Sequence, residues 1–283
     1  MNLEKYNLKN KNALITGAAG LLGFEHAAAL IECGANVVLT DINEVTLNQT
    51  KYELEKSFLS KNNTNKSKIY SKILNVANSE EVILVAKDLE REGISIDILI
   101  NNAAIDPKVR LNQGVLESSR LENLTTDQWD LQLAVGLKGA FLCSQVFGAA
   151  MAENKRGGVI LNIASDLSII SPDQRLYHKK GLPDHLQPVK PITYSVIKAG
   201  LIGMTRYIST YWAEKGIRCN ALSPGGIYSD QDKEFVQRLS SLIPLGRMAR
   251  RDEYRSAVQF LCSEASSYMN GQNIVIDGGR SVL

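Results

Sequence analysis

Cysteine is scarce in this sequence. Cys33, Cys143, Cys219 and Cys262 stand far apart, with no CxxC spacing and no cluster among the three histidines. Neither a metal site nor a disulfide framework is suggested, and a reducing cytosol suits such a chain. An excess of one charge is missing too: 32 Lys and Arg against 30 Asp and Glu leave +2. That is too little for the broad basic surface that nucleic acid or an anionic membrane requires, so any polyanion must be met locally. Long hydrophobic runs are also lacking. The N-terminus MNLEKYNLKNKNALITG has no signal-peptide core, and no stretch reaches the ~18 consecutive apolar residues of a membrane span. The expectation is a soluble cytoplasmic protein without nucleic-acid or membrane partners.

What is present is an ordinary globular composition, 44% hydrophobic and 22% charged over 283 residues, with ample apolar surface for a buried core. Lys11 to Thr16 (KNALIT) reads as a short buried strand, Leu21 to Ile31 as a helix opened by glycines, and Asn36 to Thr40 (NVVLT) as a second strand. Ile69 to Leu74, Ile96 to Ile100, Gly158 to Ile163, Ile217 to Leu222 and Asn273 to Ile276 supply five more, mostly separated by helical patterns. This alternation predicts an α/β Rossmann-like, doubly wound parallel sheet of seven strands. Leu59 to Lys68 is polar and reads as a surface loop. No linker or repeat divides the chain, so 1–283 is taken as one domain, with a proline-containing insertion over 166–192.

In TGAAGLLG, Gly17, Gly20 and Gly23 fall between a predicted strand and a predicted helix. There the backbone can approach a pyrophosphate, and the helix N-terminus offers free N–H groups to it. A tight strand-to-helix turn would use the same small residues. Asp41 ends the second strand, where a carboxylate can accept ribose hydroxyls and repel a 2′-phosphate, favouring NAD over NADP. Asp41 and Glu44 equally spell a D-x-x-E capping box.

Tyr194 and Lys198 lie four apart in a helical pattern and so share one face. A tyrosine with a pKa of about 10 needs a shift of roughly three units, or about 4 kcal/mol, to act as a base near neutrality. An ammonium about 4 Å away supplies a term of that size at an effective dielectric near 20. A Y-x-x-x-K pair also occurs on ordinary helices. Ser165, however, follows the strand GVILNIA at the sheet edge where ligands of open α/β sheets bind.

With these residues in view the sequence resembles the short-chain dehydrogenase/reductase family over essentially its whole length. NNAA at Asn101 to Ala104, YSVIK at the helix and NALSPGG after the sixth strand carry the resemblance. It implies Tyr194 as general acid/base, Ser165 as the group holding the substrate oxygen, and Lys198 as the cation that acidifies Tyr194 and binds the nicotinamide ribose. It implies cofactor contacts from Gly17, Gly20, Leu22, Gly23, Asp41, Asn102, Ala103, Tyr194 and Lys198. Asn75 and Val76 would lie beside the adenine, and Pro224, Gly225, Ile227 and Ser229 would line the nicotinamide. Asn101 would hold the central strands. A homo-oligomer, dimer or tetramer, is implied as well, with Asp127 to Met151 and Thr193 to Lys215 as interface helices.

Three departures accompany the resemblance. The glycine spacing TGxxGxxG looks like that of extended family members, many of which act on nucleotide sugars. The family's fourth catalytic residue, an asparagine, falls at Gly136 in LAVGLKGAF; the alternatives are that another polar group replaces it, that turnover is slower, or that the chemistry is lost. Ser165 and Tyr194 are 29 apart against about 13 in the family, so roughly 16 residues are inserted over the site. The insertion carries Arg175, His178, Lys179, Lys180, His185 and Lys190 with Tyr177 among them. Such groups suit a phosphorylated or nucleotide-linked substrate, with Arg175 as its bidentate clamp; a solvated loop or a subunit contact is the other reading. Its wording, with RLSSLIPLGRM and GQNIVIDGGRSV downstream, is similar to oxidoreductases described as flagellin modification protein A and their relatives in bacterial surface-sugar biosynthesis. The expected function is an NAD-dependent interconversion of a secondary alcohol and a ketone on a nucleotide sugar or sugar phosphate. An acyl or small-ketone reductase and a non-catalytic dinucleotide-binding partner subunit remain as alternatives.

Overall fold

Seven parallel strands run in the order β3-β2-β1-β4-β5-β6-β7 in a computed structural model that describes residues 3–59, 66–105, 119–154 and 156–283. They are β1 (Asn12–Thr16), β2 (Asn36–Asp41), β3 (Ile69–Ile73), β4 (Ile98–Asn101), β5 (Gly158–Ile163), β6 (Ile217–Pro224) and β7 (Asn273–Ile276). The order reverses between β1 and β4, which opens a crevice at their carboxyl ends. The central strands read as unbroken apolar runs because both faces are covered. Ala13 and Ile15 of β1 pack into one core, with Leu30, Ile31 and Val258, while Leu14 between them packs into the other, with Leu99, Cys143 and Phe147. A parallel sheet buried on both sides requires this pattern.

The helices are α1 (Leu21–Glu32), α2 (Glu44–Phe58), α3 (Ser79–Arg91), α4 (Thr126–Leu133), α5 (Gly139–Glu153), α6 (Ile192–Tyr211), α7 (Lys233–Ser241) and α8 (Arg255–Cys262). Their starts are chemically marked: Asn43 caps α2 through Thr46 N–H, Asn78 caps α3, and Thr125 with Gln128 forms a capping box on α4. The cap of α2 is therefore Asn43, and the Asp41–Glu44 capping box is not formed. Asp41 stands one step earlier, at the strand end, because its Oδ1 accepts from Asn43 N–H and its Oδ2 from Ala19 N–H.

Between α4 and α5 lies a π turn, Ala134–Lys138. The continuous helix Thr126–Glu153 has a window of mean hydropathy 1.4 and, by length and composition only, is long and apolar enough to cross a membrane, although it holds no run of 18 consecutive apolar residues. Its apolar content has a structural cause, since α5 packs against α3, β4 and β5. The insertion contains three short 3-10 turns, Asp166–Ser168, Gln174–Tyr177 and Asp184–Leu186. It is pinned internally by Gln187, whose amide donates to Lys179 O and Leu182 O and accepts from Lys179 N–H. Most of the polar loop expected over Leu59 to Lys68 lies outside the described residues.

Candidate active site

A cavity of about 730 Å³ occupies the crevice. Residues at the carboxyl ends of five strands reach it: Gly17 after β1, Asp41 of β2, Asn102 after β4, Ser165 after β5 and Pro224 of β6. Gly17 has φ +62°, and a Cβ there would stand 2.8 Å from the Ala103 Cα. A Cβ on Gly23 would come to 2.3 Å from Gly17 O, so the glycines are demanded by the fold of the turn itself. Asn102 fastens that turn, its amide donating to Thr16 O and Gly17 O at 3.0 Å each, while Thr16 Oγ accepts from Asn102 N–H and Ala103 N–H. Helix α1 starts at Gly20 with no side chain capping it, which leaves its first N–H groups facing the cavity mouth. A dinucleotide fits this donor set: a close-approach turn, an uncapped helix N-terminus and the Asp41 carboxylate.

Not every residue implied by the resemblance lies on the cavity wall. Gly20, Leu22, Gly225, Ile227 and Ser229 do; Gly23, Asn75, Val76 and Ala103 do not. Gly23 and Ala103 shape the glycine turn from behind. The Asn75 side-chain oxygen accepts from Ala77 N–H at 3.1 Å, and Val76 is buried in the core beside α5. Asn101 is buried between the central strands, donating to Ser144 Oγ and Asn162 Oδ1, which matches its implied role.

Ser165, Tyr194 and Lys198 all line this cavity. Buried Lys198 points its ammonium toward the sheet edge, where Nζ donates to Ile163 O at 2.8 Å and lies 5.7 Å from the Tyr194 ring centre. Ser165 Oγ donates to Asp166 Oδ1 at 2.9 Å and accepts from Leu167 N–H at 3.2 Å. Asp166 is held in turn by Arg280, 114 residues downstream, through a 2.8 Å ion pair with both side chains buried. No local spacing in the sequence could have disclosed that pair. Lys190 Nζ sits 3.8 Å from the Tyr194 ring centre, and the signal for it in the sequence is the four-residue step Lys190, Tyr194, Lys198 in KPITYSVIK.

Arg175 itself is not brought to the cavity. Its guanidinium is 87% exposed and paired with Asp173 at 2.7 Å, and it is absent from the wall that Leu176 and Tyr177 help to form. The 3-10 turn Gln174–Tyr177 explains the outcome, since it directs neighbouring side chains to opposite sides, with Leu176 buried and Arg175 outward.

At Gly136 an apolar side chain, not the expected polar replacement, is the nearest neighbour. Gly136 lies in the π turn, and a Cβ there would meet Ile197 Cγ2 at 2.8 Å and Cδ1 at 3.1 Å. The space that a polar side chain would need is filled by an apolar one, from the residue directly before Lys198. Other proton and nucleophile chemistry is disfavoured. His26 is wholly buried, which pushes its imidazole down to about 3, while His178 and His185 are exposed on the insertion. Burial pushes the Cys143, Cys219 and Cys262 thiols up to about 12, so none is a thiolate near neutrality.

Comparison with known proteins agrees with this geometry. The short chain dehydrogenase family model matches residues 11–177, and a model described as Enoyl-(Acyl carrier protein) reductase matches residues 185–281. The NAD-dependent glycerol dehydrogenase of Listeria innocua is 29% identical over 284 residues, spanning 99% of this chain and 97% of its own. Among solved structures, a short chain dehydrogenase from Leptospira borgpetersenii with bound NAD+ superposes with a TM-score of 0.81 at 29% identity, over 99% of this chain and 96% of that one. A gluconate 5-dehydrogenase from Burkholderia cenocepacia, in complex with NADP and tartrate, gives 0.80 at 26% identity over 99% of both chains. With more than half its length inside one family model, and that family's fold around its cavity, the chain belongs to the short-chain dehydrogenase/reductase family.

Proposed function

We propose that this NAD(P)-dependent oxidoreductase uses NAD to interconvert a secondary alcohol and a ketone on a sugar-derived substrate. The observation that carries the reading is that Ser165, Tyr194 and Lys198 line the same cavity as Gly17 and Asp41. Asp41 supports NAD, because a carboxylate at the end of β2 welcomes ribose hydroxyls and repels a 2′-phosphate. The bound dinucleotide supplies hydride chemistry at its nicotinamide. The chain's own groups handle orientation and the proton. Tyr194 takes the hydroxyl proton in oxidation and returns it in reduction, with the Lys198 ammonium favouring the ionised phenol. A serine hydroxyl has one proton, and that of Ser165 is directed at Asp166. Ser165 therefore meets an alcohol as hydrogen-bond acceptor and must turn its proton away from Asp166 to greet a ketone.

For the substrate, a curated relative named for glycerol and a solved relative named for gluconate support small polyhydroxylated compounds. A second reading, a phosphorylated or nucleotide-linked sugar in flagellin modification or related surface-glycan synthesis, keeps the support of Lys190 and Arg251 on the cavity wall but loses Arg175. An acyl substrate has the description of the C-terminal family model in its favour. A homo-oligomer is supported by exposed apolar residues on the helices named above: Leu131 and Phe141 on α4 and α5, and Tyr207 and Tyr211 on α6.

The test is turnover of polyols, sugar acids, sugar phosphates, nucleotide sugars and acyl ketones, followed by reduced-cofactor absorbance, in the wild type and in Tyr194→Phe. Tyr194→Phe should lose roughly 10²- to 10⁴-fold in rate while binding cofactor as before. Retention of most of the rate overturns the acid/base assignment. Tight cofactor binding with no turnover of any of these classes favours the non-catalytic partner subunit.

A further inference from the structure

The insertion delivers a second ammonium to the tyrosine. Lys190 Nζ is 3.8 Å from the Tyr194 ring centre, closer than Lys198 Nζ at 5.7 Å, and both lysines line the cavity. Its placement is built in. Lys190 N–H donates to Gln174 Oε1 at 2.8 Å, and Gln174 Nε2 donates back to Lys190 O at 3.2 Å. Pro191, with φ −62°, then sets the entry of the chain into α6. The backbone of Lys190 is thus clamped from both sides, two turns from Lys198 and on the same approach to Tyr194.

We propose that Lys190 is a positioning residue of the proton-transfer site, its ammonium joining that of Lys198 in stabilising the ionised phenol of Tyr194 and so setting the pH range of turnover. The proposal rests on the acid/base reading of Tyr194. A cation over an aromatic face is attracted by the ring quadrupole, which holds it there while the phenol is neutral. Once the phenol ionises, the attraction grows, and this difference between the two states acidifies the hydroxyl. Among the described residues, the other charged groups of the cavity are Asp166, Arg280, Arg251 and Asp41, with the Tyr177 phenol also lining it. Asp166 and Arg280 balance each other across 2.8 Å, and Asp41 stands at the glycine turn, bonded to Ala19 N–H. On α4 and the π turn, which also pack against α6, the charged residues are Asp127, Asp130 and Lys138, and none lines this cavity. Lys190 and Lys198 are the two ammonium groups held over the Tyr194 ring among the described residues.

The experiment titrates the tyrosinate absorbance of the protein without substrate, taking wild type minus Tyr194→Phe to isolate the one phenol. Replacing Lys190 by a neutral residue should raise its midpoint by about one pH unit, a tenfold loss of acidity, a value that allows for solvent screening of a half-exposed lysine. Lys190→Met is the first variant. Lys190→Gln keeps the comparison open should that one lose its fold, and Lys190→Arg should restore the wild-type midpoint. In alcohol oxidation the acidic limb of kcat/KM should move upward by the same amount, with the plateau recovered at high pH. An unmoved midpoint in a folded neutral variant overturns the proposal, as does a change confined to KM at every pH, which would make Lys190 a substrate contact only. A Tyr194→Phe protein that keeps its turnover overturns the acid/base reading instead, and the absorbance titration still reports whether Lys190 acts on the phenol.

Discussion

The cavity has two ends built on different principles. Most of the cofactor end is consecutive local structure: β1, the glycine turn, α1 and β2 lie within Asn12 to Asp41, with backbone contacts such as Ala18 N–H to Thr40 O and a distant fastening, the Asn102 amide on the turn. The substrate end is assembled from distant pieces. Ser165 is oriented by Asp166, Asp166 by Arg280, and Tyr194 is overlain by Lys190 from a segment that also takes Arg120 contacts at Asp184 O. A region whose geometry is dictated by short-range backbone demands tolerates little change in residue type. One assembled through side chains can alter its contacts while the scaffold stays put, which is how one fold serves many substrates.

The sharpest break of this comparison falls at the cofactor end. Asp41→Ala removes the carboxylate proposed to discriminate between dinucleotides, and charge-assisted hydrogen bonds are worth about 1.5 to 3 kcal/mol, so the proposed preference for NAD(H) over NADP(H) should narrow by roughly 10- to 150-fold. Paired binding titrations measure it. Equal affinities in the wild type would remove the assignment of Asp41 altogether.

The same contrast governs how much was legible beforehand. β5 and β7 were readable to the residue because a buried parallel strand is a bounded apolar run, and Gly17 and Gly23 because a close backbone approach leaves only glycine as a choice. β4 begins at Ile98 rather than Ile96. Ser165, Tyr194 and Lys198 were readable from spacing and resemblance. The Asp166–Arg280 pair and the π turn at Ala134–Lys138 were not, because neither leaves a periodicity in the sequence.

A middle-sized effect is expected where the two ends join. Gly136→Asn forces its Cβ toward Ile197, at 2.8 Å from Cγ2, and overpacking of this kind costs about 1 to 3 kcal/mol. Chemical denaturation should show the loss, and turnover should fall with it because Ile197 immediately precedes Lys198. The double variant Gly136→Asn with Ile197→Ser frees the volume and should recover at least half of the lost stability. Full tolerance of the single variant would mean that the π turn yields more easily than its packing indicates.

The smallest effect is expected at Arg175, and its smallness is informative. From sequence alone this guanidinium was the natural clamp for a phosphate, because its fork suits bidentate pairing. In the folded chain the fork is already used: Nε donates to Asp173 Oδ1 at 2.9 Å and the terminal nitrogen to Oδ2 at 2.7 Å. The hydrogen bonds from the Arg175 side chain hold the Asp173 carboxyl below its usual range. With 87% of the side chain in solvent, the pair is screened, and Arg175→Ala should change kcat/KM by no more than about twofold for charged and neutral substrates alike. Lys190, fifteen residues on and half-buried against Tyr194, should by contrast move the pH profile. A tenfold or larger loss in Arg175→Ala, confined to phosphorylated sugars and absent for polyols, would show that the insertion closes on its substrate and turns Arg175 inward, making the substrate end a moving part set against a fixed cofactor end.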